Sequence, residues 1–340
     1  MLQLQTIRQN PQEVKEKLAI KNFKELSLVD EILQLDEQRK KMQLESDNFQ
    51  SKINAASKEI GALMAKGDKG AADVKKQEVA SFKNALQPIA DELATTETVL
   101  NEKLVLLPNL PSVLVPAGKT PADNEVVRTG GQKPVLPDGA VPHWDLIKKY
   151  DIVDFETGAK ITGSGFPLYK GQGAKLQRAL TQYFLDFNTS AGYTEYLPPL
   201  MVNDATAYGT GQLPDKEGQM YYMPADNFYM IPTSEVPVTN IYRDEIVKKE
   251  NLPIKMTAFS ACFRREAGSF GKDVRGLNRV HQFDKVEIVQ IVHPDKSYET
   301  LDEMVAHVEK LLNTLELPYR ILRLCGGDMS FASALTYDFE

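Results

Sequence analysis

Between Phe263 and Glu287 the chain reads FRREAGSFGKDVRGLNRVHQFDKVE, a segment dense in arginine, carboxylate and aromatic side chains. Side chains alternate across a strand, so Cys262, Arg264 and Glu266 are expected on one face as a first strand ends. On a second strand His281, Phe283, Lys285, Glu287 and Val289 share a face, and Phe283 and Glu287 stand about 13 Å apart at ~3.3 Å per residue. That span suits a nucleotide base at one end, an amino acid at the other and a phosphate between. A guanidinium fork binds phosphate oxygens in pairs and stays charged. An aromatic ring offers a base a stacking platform, and a carboxylate accepts from an exocyclic amine or an ammonium. The competing reading is an exposed hairpin whose Arg265, Glu266, Lys272, Asp273, Arg275 and Arg279 are solvated charges. Residue types alone favour it, since surface ion pairs are common.

The elements that must position these residues fall into two classes. Asn10-Pro11-Gln12-Glu13 reads as a helix start, with Asn10 as the cap, Pro11 at the first helical position and Glu13 reaching back. A heptad then runs through Leu28, Ile32, Leu35, Arg39, Met42, Ser46, Phe49, Ile53, Ala56, Ile60 and Leu63, eight of the eleven being large and apolar. After Lys66-Gly67-Asp68-Lys69-Gly70 a second heptad runs through Val79, Phe82, Leu86, Ile89, Leu93, Thr96, Leu100, Lys103 and Leu107. Two such segments joined by a glycine-containing turn predict an antiparallel coiled-coil hairpin over about 28–107, reaching roughly 50 Å at 1.5 Å per residue. Pro88 is expected to kink the second helix or interrupt its hydrogen bonds, and Pro108 and Pro111 to end the arm. Its charges are mixed: between Lys58 and Lys83 six lysines face four acidic residues. Periodicity thus predicts a shape and leaves a spacer, a dimerisation element and an RNA-binding arm all open.

Residues 109–145, rich in proline and glycine, read as an irregular linker. From 146 onward strands dominate. Leu176, Leu180, Tyr183, Phe184 and Phe187 mark an apolar helical face stopped by Gly192, and Tyr193–Val202 is strand-like with Pro198 and Pro199 at an edge. Tyr221–Met223 and Phe228–Ile231 read as a hairpin. Thr257–Phe263 and Val280–Val292 are strands, Ser297 caps a further helix, and Tyr319–Cys325 and Ala334–Glu340 are strands again. His143 reads as a linker residue, His293 as part of a proline turn and His307 as lying on the exposed side of its helix. Runs of strands with few helices between them predict an α+β fold with an antiparallel sheet. The chain thus divides into 1–108, 109–145 and 146–340.

Composition narrows the class of protein. Of 340 residues, 42% are hydrophobic and 26% charged, with a net charge of −7, which argues against a globally basic nucleic-acid binder but permits a local basic strip. Cys262 and Cys325 are far apart, with no pattern for zinc or a disulfide framework, so a reducing cytoplasm is expected. No stretch reaches the ~18 apolar residues of a membrane span.

FRREAGSFGKDVRGLNRVHQFDKVEIV resembles motif 2 of class II aminoacyl-tRNA synthetases, in the version found in seryl-tRNA synthetases. GYTEYLPPLMV, residues 192–202, resembles motif 1, with Pro199 as its proline. Thr233-Ser234-Glu235, within MIPTSEVPV and after YGTGQLPDK, is similar to the family's serine-binding loop, though motif length alone favours a helix cap before Val236-Pro237. The helical arm is similar to the family's long hairpin, and the resemblance spans the whole chain. It implies a class II synthetase sheet with flanking helices, ATP and Mg2+ as cofactors, and L-serine and serine tRNA as substrates. Arg264 would contact the α-phosphate, Glu266 the adenine amino group and Phe283 the adenine ring, with Arg265 and Val280 bordering the nucleotide. Glu287, Thr233, Ser234 and Glu235 would line the serine pocket, and the arm would reach the long variable arm of the tRNA. The region 174–202 would form a homodimer interface. Motif 3 and the carboxylate ligand of the metal are not found, so the chain is expected to be a piece of a longer protein, inactive alone. Two rivals are a paralogue that loads a carrier protein, against which the long arm argues, and a non-catalytic relative that only binds.

Overall fold

The computed structural model describes residues 2–215, 218–266 and 275–340. Lys272 and Asp273 of the motif 2 loop lie outside these. Two compact units emerge, one of Met1–Glu125 with Leu322–Asp338, the other of Val126–Ile321 with Phe339–Glu340.

The first unit is helical: α1 (Leu4–Gln9), α2 (Pro11–Ile20), α3 (Ser27–Ala65) and α4 (Lys69–Leu104). The last two are the antiparallel arm. Seam residues Ile53, Ala56, Ala72 and Leu100 are buried, and the Phe49 and Phe82 rings meet across it with centroids 6.3 Å apart. Helix α4 continues past Pro88: proline has no N–H to donate, so one hydrogen bond is lost there as expected, and packing along the seam outweighs it. Pro11 does open α2, but Asn10 makes no side-chain cap, and Glu13 pairs with Lys17 instead. At the root of the arm Ile7, Val14, Leu18, Val29, Ile32 and Leu107 form one core. Asp36, only 1% exposed, accepts from Arg8 Nε at 2.6 Å and faces Lys40 Nζ at 3.1 Å and Arg39 Nε at 3.3 Å. The returning segment 322–338 closes onto this unit. Lys21 Nζ donates to the main-chain carbonyls of Ser330, Phe331 and Ser333 at 2.8, 3.1 and 3.1 Å, and burial draws its pKa down to about 8.

The remaining elements are β1 (Glu125–Gly130), α5 (His143–Lys149), β2 (Val153–Asp154), α6 (Phe155–Ile161), β3 (Leu168–Tyr169), α7 (Gln172–Ser190), β4 (Thr194–Tyr196), β5 (Met201–Val202) and α8 (Asp204–Gly209). They continue as β6 (Tyr222–Met223), β7 (Phe228–Met230), α9 (Glu235–Thr239), β8 (Ile254–Phe263), β9 (Gln282–Ile291), α10 (Ser297–Thr314), β10 (Tyr319–Arg323) and β11 (Tyr337–Phe339). The stretch 109–145 is therefore not wholly irregular: it holds β1 and the start of α5. Ser297 is the first residue of α10 rather than its cap, which is Lys296.

The central sheet orders β4–β8–β9. Strands β8 and β9 pair antiparallel over ten residues, whereas β4 joins β8 in parallel. The long pair is therefore antiparallel as expected, with one short parallel strand at its edge. Gly192, at φ +87°, lets α7 end and the chain turn directly into β4. Tyr193–Val202 does not form one strand. Its prolines split it into β4 and β5, and β5 joins the expected hairpin in the order β5–β7–β6. Val202, Ala207, Ile231 and Val236 fill the space under that small sheet, and Val238, Met256 and Ala258 pack beneath β8.

Candidate active site

The long pair β8–β9 supplies a rigid floor. Its register sets Cys262 opposite Phe283, Ser260 opposite Lys285 and Ala258 opposite Glu287. Past the ladder the chain stays stitched: Arg264 N–H donates to the His281 carbonyl at 2.9 Å, and His281 N–H to the Gly165 carbonyl at 2.8 Å. His281 Nδ1 returns a bond of 3.0 Å to the Arg264 carbonyl. Gly165 sits at φ +84° and leaves no room for a Cβ beside the His281 ring, so a side chain there would displace it. On the other side Phe263 N–H donates to the Ile231 carbonyl at 2.9 Å and Arg265 N–H to that of Gln219 at 2.8 Å. These bonds bring the Thr233 loop against the end of β8.

Three of the expected site residues meet closely. Thr233 Oγ1 donates to Glu287 Oε2 at 2.6 Å, and Lys285 Nζ faces the same carboxylate oxygen at 2.9 Å. The backbone N–H of Glu235 donates to Thr233 Oγ1 at 3.1 Å, so Thr233 is fixed from both sides. The guanidinium of Arg264 donates through Nε to the Pro232 carbonyl at 3.4 Å. It also lies over the Phe283 ring, 5.1 Å from the centroid, a cation–π contact.

Glu235 is exposed at its surface, yet protein atoms crowd its carboxyl. Burial raises its pKa, and the nearby charge of Glu287 adds to the rise, against Lys285 and Arg264. Glu266 adopts a left-handed backbone, φ +49°, and its carboxylate pairs with Arg279 Nη1 at 2.5 Å. The hydroxyl of Ser234 is buried and shares a 2.5 Å bond with Ser260, so sheet packing engages it. Arg265 is exposed and Val280 buried.

Several supporting groups had no signal in the sequence. His143, read as a linker residue, opens α5 and accepts from Leu277 N–H through Nε2 at 2.9 Å, anchoring the returning end of the loop. Gln177 of α7 donates to Asp284 of β9 at 3.0 Å. His307, expected on the exposed side of its helix, is half-buried. It packs on Phe187 and Tyr193 and bonds Asn188 at 2.7 Å, because α10 turns that face onto α7. Among the described residues no three His, Cys, Asp or Glu side chains gather to hold a metal ion.

The side chains offer a cation to an anion at Arg264, a flat platform to a ring at Phe283 and, beside the Thr233–Glu287 pair, polar oxygens to an ammonium or hydroxyl. Known proteins agree with this arrangement. Residues 1–111 match the family "Seryl-tRNA synthetase N-terminal domain", and residues 221–340 match "tRNA synthetase class II core domain (G, H, P, S and T)". A serine–tRNA ligase of Salinibacter ruber is 47% identical over the whole chain, which covers 79% of that relative. Among solved structures, the seryl-tRNA synthetase of Pyrococcus horikoshii complexed with ATP superposes with a TM-score of 0.90 at 30% identity, over 100% of this chain and 80% of that one. The cytoplasmic serine–tRNA ligase of Naegleria fowleri in complex with AMP gives 0.84 at 25% identity, over 100% and 81%. Arm, sheet and sequence agree on one conclusion: the chain belongs to the seryl-tRNA synthetases.

Proposed function

We propose that the groups around Arg264 and Glu287 activate L-serine with ATP and hand the seryl group to serine tRNA. The reaction is that of a serine–tRNA ligase. The carboxylate of serine attacks the α-phosphorus of ATP, a new phosphorus–oxygen bond forms and pyrophosphate leaves, giving seryl-adenylate. A ribose hydroxyl of the tRNA then attacks the mixed anhydride, releasing AMP. The attacking carboxylate is already charged at neutral pH, so positioning and charge neutralisation carry the first step.

In this reading Arg264 meets the α-phosphate and Phe283 stacks on adenine. Glu266 receives the adenine amino group, with Arg265 and Val280 at the border. Glu287 and Thr233 hold the serine head group, with Glu235 and the backbone at Ser234 alongside. The observation that carries it is the contact of Thr233 with Glu287 at 2.6 Å, one side chain from Arg264 on its ring. A pocket that bonds the serine hydroxyl rejects alanine, because buried polar groups are left unpaired, by ~10⁴ or more. Acidic groups near the site already face cations: Glu266 faces Arg279 and Glu287 faces Lys285. Mg2+ would enter as the counter-ion of the nucleotide.

The arm of 39- and 36-residue helices would contact the long variable arm of the tRNA by shape and backbone. Its length favours tRNA over a carrier protein as acceptor. Residues 174–202 would form the homodimer interface; Leu176, Leu197, Leu200 and Met201 there are large, apolar and exposed. The expected compartment is the cytoplasm, and no helix among the described residues is long and apolar enough to cross a membrane. The deciding experiment is serine-dependent pyrophosphate exchange by Glu287→Ala in the protein expressed from its complete reading frame. Exchange at the wild-type serine KM would sink the assignment.

A further inference from the structure

Behind Glu287 runs a line of polar side chains outside the Thr233–Glu287 contact. Thr257 Oγ1 of β8 donates to the main-chain carbonyl of Glu287 at 2.8 Å. Asn188 Nδ2, in the last turn of α7, donates to Thr257 Oγ1 at 2.9 Å. Asn188 Oδ1 lies 2.7 Å from His307 Nε2 on α10. Asn188 and Thr257 are both buried.

One end of the line fixes the sense of every bond in it. A carbonyl only accepts, so the single hydroxyl proton of Thr257 points to Glu287. The oxygen of Thr257 then accepts from the Asn188 amide, which turns the amide oxygen toward His307. His307 must therefore carry a proton on Nε2. Its ring lies between those of Phe187 and Tyr193, with centroids 4.8 and 5.4 Å away. Burial lowers its pKa, helped by Lys310 and Lys255, and the Nε2 proton is present in both charge states.

We infer that Asn188 and Thr257 are positioning residues for serine recognition. They hold the main chain at Glu287 from behind, and so set where its carboxylate meets Thr233. The inference rests on the proposed role of Glu287. A hydrogen bond weakens steeply with misalignment, so a small shift of the strand at Glu287 alters the pocket at that end. Arg264 and Phe283, stitched separately to His281 and Cys262, stay in place.

The test pairs two substitutions at one position. Thr257→Val keeps the shape and removes the hydroxyl; Thr257→Ser keeps the hydroxyl. In pyrophosphate exchange Thr257→Val is expected to raise the serine KM about tenfold and leave the ATP KM within about twofold, while Thr257→Ser stays near wild type for both. An unchanged serine KM, or equal losses for serine and ATP, overturns the inference. Glu287→Ala measured alongside separates the two claims. If it too leaves the serine KM unchanged, the assignment of Glu287 fails; if it raises KM and Thr257→Val does not, only the positioning role fails. A further measurement needs no variant. Nitrogen NMR of the labelled protein is expected to find His307 as the Nε2–H tautomer, and an Nδ1–H tautomer would overturn the bond directions.

Discussion

Arg264 rests on Phe283, its guanidinium carbon 5.1 Å from the ring centroid, so the arginine proposed to meet the α-phosphate lies against the ring proposed to stack on adenine.

Replacing Phe283 by Ala should therefore damage nucleotide binding in particular. Loss of base stacking is worth about 1–3 kcal/mol, so the ATP KM should rise roughly tenfold or more while the serine KM moves little. Phe283→Trp, which keeps a π face, should retain most of the affinity. Pyrophosphate exchange at varied ATP checks both.

Glu235 should trade stability for function. Its pKa is raised in the fold, so the native state binds the proton more tightly than the unfolded chain. Ionisation then opposes folding, and stability is lost as pH rises from the unfolded carboxyl value through the folded one. Glu235→Gln should raise the melting temperature at pH 7 by no more than a few degrees and leave it unchanged well below the unfolded pKa. Melts at two pH values test this, and equal shifts at both would refute it.

Asp36 predicts the opposite sign. Burial pushes its pKa up, but the bonds from Arg8 and Lys40 outweigh that and bring it to about 2. A depressed folded pKa contributes stability above the unfolded value, and this is lost as pH falls toward the folded one. Asp36→Asn should destabilise the helical unit by about 2 kcal/mol at neutral pH, because the bonds that hold the Asp36 carboxylate charged in the fold are lost, and the deficit should shrink in acid. Chemical denaturation at pH 7 and near pH 3 gives the comparison.

Shortening the arm should separate the two half-reactions. Removing matched seven-residue blocks from α3 and α4 preserves the heptad register. Pyrophosphate exchange should stay within about threefold, while kcat/KM for tRNA charging should fall by roughly a hundredfold. Equal losses in both assays would count against a tRNA role for the arm.

The legible parts of this structure were those that repeat or alternate. Heptads at Leu28–Leu63 and Val79–Leu107 announced the arm because each step restates the same face, and alternation at Phe283 and Glu287 announced the hairpin. What escaped notice depends on residues distant in sequence: Asn188 and His307 are 119 positions apart, Arg8 and Asp36 are 28 apart, and nothing local marks either pair. Asp36 lies beside the apolar seam position Leu35, where a charge reads as solvated. The parallel partner of β8 was hidden because Pro198 and Pro199 made Tyr193–Val202 look like one edge strand.

The three carbonyls held by Lys21 bear on how the chain is made. Ser330 lies 309 residues after Lys21, so on the ribosome the arm and its root emerge long before the segment that completes their unit. Helices α1–α4 can form at once from local contacts, but closure waits until the segment bonded by Lys21, 309 residues further on, has been made. Folding of that unit should therefore be timed by joining two distant stretches, a step slow for its sequence separation, rather than by the fast winding of its helices. The part synthesised first is completed only by a segment made some 309 residues later.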